Sequence, residues 1–169
     1  MDRTLVVKTV EKIDENVKII GWVHSIRDHG KISFLDLRDR TGIIQCVGTN
    51  LPKFLPESVV EITGKIAKRP EKLINPNLET GSVELQIENL EVVSPSKELP
   101  IPLDTDGYEI DEDKRLRFRY LDLRRTRMTK NIRLRSKMLL FVRNFLSEKD
   151  FCEIETPILT KTTPEGARD

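Results

Sequence analysis

The sequence predicts a mainly β fold: a small five-stranded Greek-key barrel, then a linker, then a long helix and a short strand. Three observations predict it. Five runs of alternating, β-favouring residues fall between Val17 and Val93, about 80 residues, and turn signals separate them. Residues 94–102 then carry three prolines and read as a linker. After that, Leu134, Met138, Phe141, Val142 and Phe145 recur at helical spacing.

The elements follow in order. Residues 5–13 lead in as a short helix or a strand, and the pattern does not choose between them. The first strand starts at Val17 and runs through Trp22 to Ile26. Asp28-His29-Gly30 is a turn signal, residues 32–38 are the second strand, Asp39-Arg40-Thr41-Gly42 is a second turn, and residues 43–47 are the third strand. Residues 51–55, between Pro52 and Pro56, are expected as a helix or turn over the barrel mouth. Residues 58–66 alternate as a fourth strand, Pro70 and Asn75-Pro76-Asn77 break it, and residues 81–93 form the fifth. This order matches the barrel of oligonucleotide-binding modules, the OB-fold, and a small β-sandwich is the competing architecture. The helix is expected over 129–149 and the short strand over 151–155, stopped at Thr156-Pro157. The domains are accordingly 1–103 (barrel), 104–127 (hinge) and 128–169 (start of a further domain in which the chain stops).

Strand periodicity places Ile32, Phe34, Asp36 and Arg38 on one face of the second strand and Leu35 and Leu37 on the other. The first face mixes an aromatic with charges. Together with Arg27 and Gln45 it suits single-stranded nucleic acid: the ring stacks a base, the cations meet phosphate, and the amide reads a base edge. The plainer reading makes Phe34 an ordinary core residue. On pattern alone the plainer one is favoured, because half-buried Phe is common and stacking platforms are rare.

Composition sets the outer limits. Hydrophobic residues make up 37% of the 169, enough for a modest core, and no apolar run approaches the roughly 20 residues that cross a bilayer. The first residues lead into a strand-like Leu5-Val6-Val7 rather than a secretory leader. With Cys46 and Cys152 as the only cysteines, neither a disulfide scaffold nor a structural zinc site is expected, and a reducing cytoplasm is the expected compartment. A net charge of +1 hides an acidic run over 96–113 followed by twelve bases and one acid over 114–143. That basic block is either a phosphate-contacting surface or a solvated face balanced by the acids before it.

Four stretches carry a family resemblance: GWVHSIRDHGKISFLDLRDRTGIIQCV, NPNLETGSVEL, RLRFRYLDLRR and FCEIETPILTKTTPEGARD. They resemble the N-terminal part of an aspartyl-tRNA synthetase of bacterial type, over nearly the whole chain. Lysyl-tRNA synthetases resemble the second-strand, YLDL and ETP segments but lack the RDRTG turn and the TPEGARD ending. The resemblance reverses the reading of Phe34. It implies that the barrel binds the tRNA anticodon, with Phe34 stacking on the central base and Arg27 and Gln45 bonding to bases or backbone. Arg69, Asn75 and Glu84 would complete the pocket. Val47 stands where some members carry a second aromatic. His29 resembles members that charge both the aspartate and the asparagine tRNAs, whereas stricter members have Leu there; the plain alternative is a solvated turn histidine. The long helix, the strand after it and Pro157 resemble the first signature motif of class II synthetases, which implies a homodimer interface that includes Phe141 and Phe145. Glu165 would lie on the loop that closes over the amino acid and pair with its ammonium; the plain alternative is a frayed terminal residue.

The family joins L-aspartate to tRNA with ATP and Mg2+, by way of an aspartyl-adenylate. The second and third signature motifs that this chemistry needs do not occur in these residues, and no Gly-rich phosphate loop, metal-ligand cluster or nucleophile–base set replaces them. Two other readings stay open: a free-standing nucleic-acid-binding barrel with a helical tail, and a lysyl- or asparaginyl-type relative. The 169-residue chain by itself is therefore expected to bind tRNA weakly and to make no adenylate. Isotope exchange between ATP and pyrophosphate above background would overturn that expectation.

Overall fold

The structure, a computed structural model, describes residues 2–159. The chain divides into two compact units, Met1–Leu99 and Pro100–Asp169.

The first unit is a closed barrel in the order β1-β2-β3-β5-β4, with β1 (Asn16–His29), β2 (Ile32–Arg38), β3 (Ile43–Thr49), β4 (Val59–Lys68) and β5 (Val83–Ser94). β1 is long enough to pair with β2 at one end and with β4 at the other, both antiparallel. Its register shifts between Val23 and Ser25, a bulge that lets one strand serve two sheets. The short parallel contact of β3 with β5, Cys46 opposite Leu85 and Val47 opposite Gln86, completes the ring. Inward positions are apolar by alternation: Val17, Ile19 and Val23 from β1, Leu35 and Leu37 from β2, Ile62 and Ile66 from β4, and Leu85 from β5 are all buried. Gly64 lies where β4 and β5 shift register. A Cβ there would stand 2.0 Å from the Gln86 carbonyl oxygen, so only glycine permits that approach.

The lead-in is a 3-10 turn, Val6–Glu11, whose Val6 joins the core. Asp39 ties it down. The Asp39 Oδ2 accepts from the Val6 N–H at 3.0 Å, and its Oδ1 accepts from the Thr41 and Gly42 N–H groups and from the Thr41 hydroxyl. The RDRTG turn is thus a hydrogen-bonded clasp between the β2–β3 hairpin and the N-terminal residues.

Three expectations are corrected. The turn after β1 is shorter than its signal, because Asp28 and His29 continue the strand and pair with Ser33 and Ile32. Residues 51–55 form no helix: Pro56 biases Leu55 away from the helical region, and Leu51 and Phe54 pack on the core instead. Residues 151–155 form no strand, since no other strand lies among the described residues of their unit to share a ladder with them.

The second unit holds α1 (Glu112–Arg117), α2 (Arg119–Asp122) and α3 (Thr126–Ser147). α3 ends on Asp150 at φ 63, with Phe151 N–H bonded to the Leu146 carbonyl and Asp150 N–H to that of Ser147. This closes the last turn with an aspartate where glycine is the usual residue. The unit is organised by one buried carboxylate. Asp122 accepts from Arg125 at 2.8 Å, from Arg119 at 3.1 Å and from Arg115 through two nitrogens at 3.3 Å. Arg125 is itself fully buried, and its Nη1 donates to the Thr105 carbonyl at 2.8 Å. No described helix is long and apolar enough to cross a membrane.

Burial alone would push the Asp122 carboxyl up, but the hydrogen bonds and charges of Arg115 and Arg125 outweigh it and hold the group below the usual carboxylate range. A depressed folded value means that the stabilisation is present at neutral pH and is lost as pH falls through that value. Asp122→Asn, which strands three guanidinium groups, should destabilise the helical unit by about 3–5 kcal/mol at pH 7. Helical circular dichroism in urea titrations should show this gap narrow as pH drops below about 4, where the unfolded carboxyl already takes up its proton. A gap independent of pH would remove the charge from the explanation.

Candidate nucleic-acid interface

Burying Leu35 and Leu37 turns Phe34, Asp36 and Arg38 outward, and the neighbouring strands extend that face. Phe34 stands opposite Arg27 of β1 and Val47 of β3, and Val47 stands opposite Gln86 of β5. Asp36 stands opposite Ser25 and Gln45. Phe34 is half-buried and lies outside the sealed core. The His29 ring meets it edge-on, with centroids 5.6 Å apart and planes at 78°. One flank of the aromatic is therefore braced while its outward side stays accessible.

Two polar groups flank the ring. On the β1 side, Arg27 Nη2 donates to Asp36 at 3.1 Å and 3.3 Å, and the Ser25 hydroxyl donates to the same carboxylate at 2.6 Å. On the β5 side, Gln45 Nε2 donates to Glu84 Oε2 at 3.3 Å, and Arg69 Nε stands 3.8 Å from that oxygen. The Arg69 Nε is buried without an acceptor. Its nearest charge is the Glu84 carboxylate, too far for a hydrogen bond but close enough for an ion pair.

The β4–β5 loop gives this group its edge. Asn75 Oδ1 accepts from the Asn77 N–H at 3.0 Å, and Asn75 N–H donates to the Gly81 carbonyl at 3.2 Å. A Cβ on Gly81 would fall 1.8 Å from the Asn75 carbonyl oxygen, so glycine is what lets the two ends of the loop touch. Asn75 thus shapes the loop beside Arg69.

The structure brings Arg27, His29, Phe34, Gln45, Arg69 and Glu84 into two clusters on one barrel face. Arg38 is on that face as well, but it is spent on Glu57 at 2.6 Å and lies beside His24. Beneath the face Cys46 is fully buried; desolvation, helped by the Asp36 charge, pushes its thiol up far enough to make it unreactive. The sequence reading left Ser25 and Asp36 out of the site, although strand alternation had already put Asp36 beside Phe34.

In the second unit, Phe141 and Phe145 stack at 6.3 Å on an exposed flank of α3 with Leu134 and Met138. Pro157 is exposed, and Glu165 lies outside the described residues.

Residues 17–93 match the family model for the OB-fold nucleic acid binding domain, and residues 111–169 match that for class II tRNA synthetases (D, K and N). An aspartate–tRNA(Asp/Asn) ligase of Syntrophomonas wolfei is 46% identical over 95% of the chain, and one of Thermodesulfovibrio yellowstonii is 49% identical over 94%. The chain spans only 28–29% of the length of these relatives. An asparaginyl-tRNA synthetase of Pyrococcus horikoshii, solved with asparaginyl-adenylate, superimposes with a TM-score of 0.80 at 24% identity, over 98% of this chain and 39% of its own, a likeness of fold.

Proposed function

We propose that the chain is part of a class II tRNA synthetase of the D, K and N family, whose model residues 111–169 match, and that its barrel reads the tRNA anticodon for an aspartate–tRNA ligase. The observation that carries the proposal is the half-buried Phe34 ring, turned outward between the Arg27–Asp36 pair and the Gln45–Glu84–Arg69 group. A base lies flat on the ring. Arg27 meets the backbone or a base edge. Gln45 and Glu84, already joined by a hydrogen bond, present an acceptor and donor pattern to a base, and the Arg69 charge stands behind Glu84. Residues 1–103 are the anticodon-binding domain, 104–127 a hinge, and 128–169 the start of the catalytic domain.

In this reading α3, with Phe141, Phe145 and Pro157, forms the homodimer interface, and Glu165 reaches the substrate ammonium. The ligase joins L-aspartate to tRNA in the cytoplasm with ATP and Mg2+. Among the described residues no group of three or more His, Cys, Asp or Glu side chains is placed together.

Phe34→Ala should weaken binding of an aspartate-tRNA anticodon stem-loop by about 1–3 kcal/mol, the usual value of one stacked base. The melting temperature of the barrel should move little, because the ring is outside the core. Filter binding with aspartate, asparagine and lysine anticodons tests both the site and the family branch. Unchanged affinity in a folded variant would remove Phe34 from the site, and preference for the lysine anticodon would move the chain to that branch.

His29 bears on the choice between aspartate and asparagine tRNAs. Its ring meets Phe34 edge-on, which in this reading sets it by the base next to the stacked one. The name of the Syntrophomonas wolfei relative, an aspartate–tRNA(Asp/Asn) ligase, favours relaxed specificity. The ligase that carries this chain should charge both tRNAs, and His29→Leu should shift it toward the aspartate tRNA. Strict charging of the aspartate tRNA by the unaltered ligase would overturn this assignment.

A further inference from the structure

A carboxylate at the middle of a surface meant for a polyanion needs a reason, since it repels phosphate. Asp36 is such a group, between Phe34 and Gln45 on the outward face, with its side chain 18% exposed. Its contacts supply the reason. The Ser25 hydroxyl donates to Oδ2 at 2.6 Å and fixes the carboxylate from the opposite strand. The fixed carboxylate then receives Arg27 Nη2 at 3.1 Å and 3.3 Å. Arg27 starts opposite Phe34 and reaches two residues along β2 to make this bond, so its guanidinium lies along the face beside the ring. Only one of its nitrogens is spent. Nε and Nη1 keep their N–H groups for an acceptor, and the side chain remains 54% exposed.

We infer that Asp36 is a positioning residue for anticodon binding: through Ser25 and the ion pair it holds Arg27 alongside Phe34, so that this carboxylate raises RNA affinity. The inference rests on the anticodon reading above. Its physical content is preorganisation. An unpinned arginine on a strand samples many rotamers, and ordering it on binding would cost affinity that the Asp36 contact has already spared. The opposite expectation is equally definite. If the carboxylate acts only as a charge, removing it should tighten RNA binding, most strongly at low salt.

The test is a double-mutant cycle on the 169-residue chain, with an anticodon stem-loop RNA as probe. Asp36→Asn keeps the shape of the side chain and an acceptor for Ser25 while removing the charge that holds Arg27. It should weaken binding roughly fivefold, toward the low end for residues coupled in one hydrogen-bonded network. In an Arg27→Ala background the same change should no longer weaken binding, since only the repulsion of the bare carboxylate is left to lose. Equal losses in both backgrounds would mean that Asp36 only supports the barrel, and tighter binding with Arg27 in place would mean that it only repels; either overturns the inference. Both arms of the cycle carry any loosening of the fold by Asp36→Asn, so the comparison stays readable. If Phe34→Ala and Arg27→Ala each leave affinity untouched, the anticodon reading itself has failed. If they lower it and Asp36→Asn does not, only the positioning role has.

Discussion

Leu35 and Leu37 are fully buried, and strand geometry then fixes the face of every neighbour in β2. Phe34, Asp36 and Arg38 must point outward as long as those leucines point inward. A slip of one residue would bury the ring and expose the leucines, at the cost of both the core and the site. Several constraints prevent the slip. β2 is paired on both edges, with β1 and with β3, and the hairpin beyond it is clasped by Asp39 to the N-terminal turn. The barrel has no free edge on which β2 could re-register, because β1 and β4 pair, and β3 and β5 touch, to complete the ring. The face that carries Phe34 is therefore a consequence of the core, held by the same residues that hold the fold.

That dependence explains what could be read directly. The alternation of apolar and polar residues in β2 is local, so the faces of Phe34 and Leu35 were legible from seven residues. The convergence of Gln45, Glu84 and Arg69 was not legible from pattern, because it depends on a parallel contact between strands far apart in sequence. Only the resemblance pointed to those three together. His29 was read as a turn residue from Asp28-His29-Gly30, but the turn needs only Gly30, at φ 70, and Lys31. The strand therefore carries His29 up to the ring, where a solvated turn histidine would not reach. Residues 51–55 and 151–155 depart from expectation in a different way. Their apolar residues suggested regular structure, but one segment is held between prolines and the other lacks a partner strand among the described residues.

The basic run over 114–143 has a use that charge counting does not show. Its twelve cations against one acid suggested a phosphate surface or a solvated face. The structure shows a third use. Arg115, Arg119 and Arg125 converge on the single acid, Asp122, Arg127 bonds the Asp106 carbonyl and lies over Tyr108, and Arg143 pairs with Glu153. The one acid in the block is its organising centre, and it draws in Arg125 while most of the other cations stay exposed.

Arginine is thus used in opposite ways in the two units. Around Asp122 one carboxylate is shared by three guanidinium groups, and Arg125 is wholly buried with its other nitrogens turned to the Thr105 backbone or left unpartnered. Such a cluster is expensive to open, and its reward is a fixed local structure at the foot of α3. On the barrel one carboxylate holds one guanidinium by one nitrogen and leaves the remainder in solvent. That arrangement costs little desolvation and leaves donors in place. The ratio of carboxylates to cations, and how much of each stays wet, decides which arginine can meet RNA, and by that measure Arg27 can and Arg125 cannot.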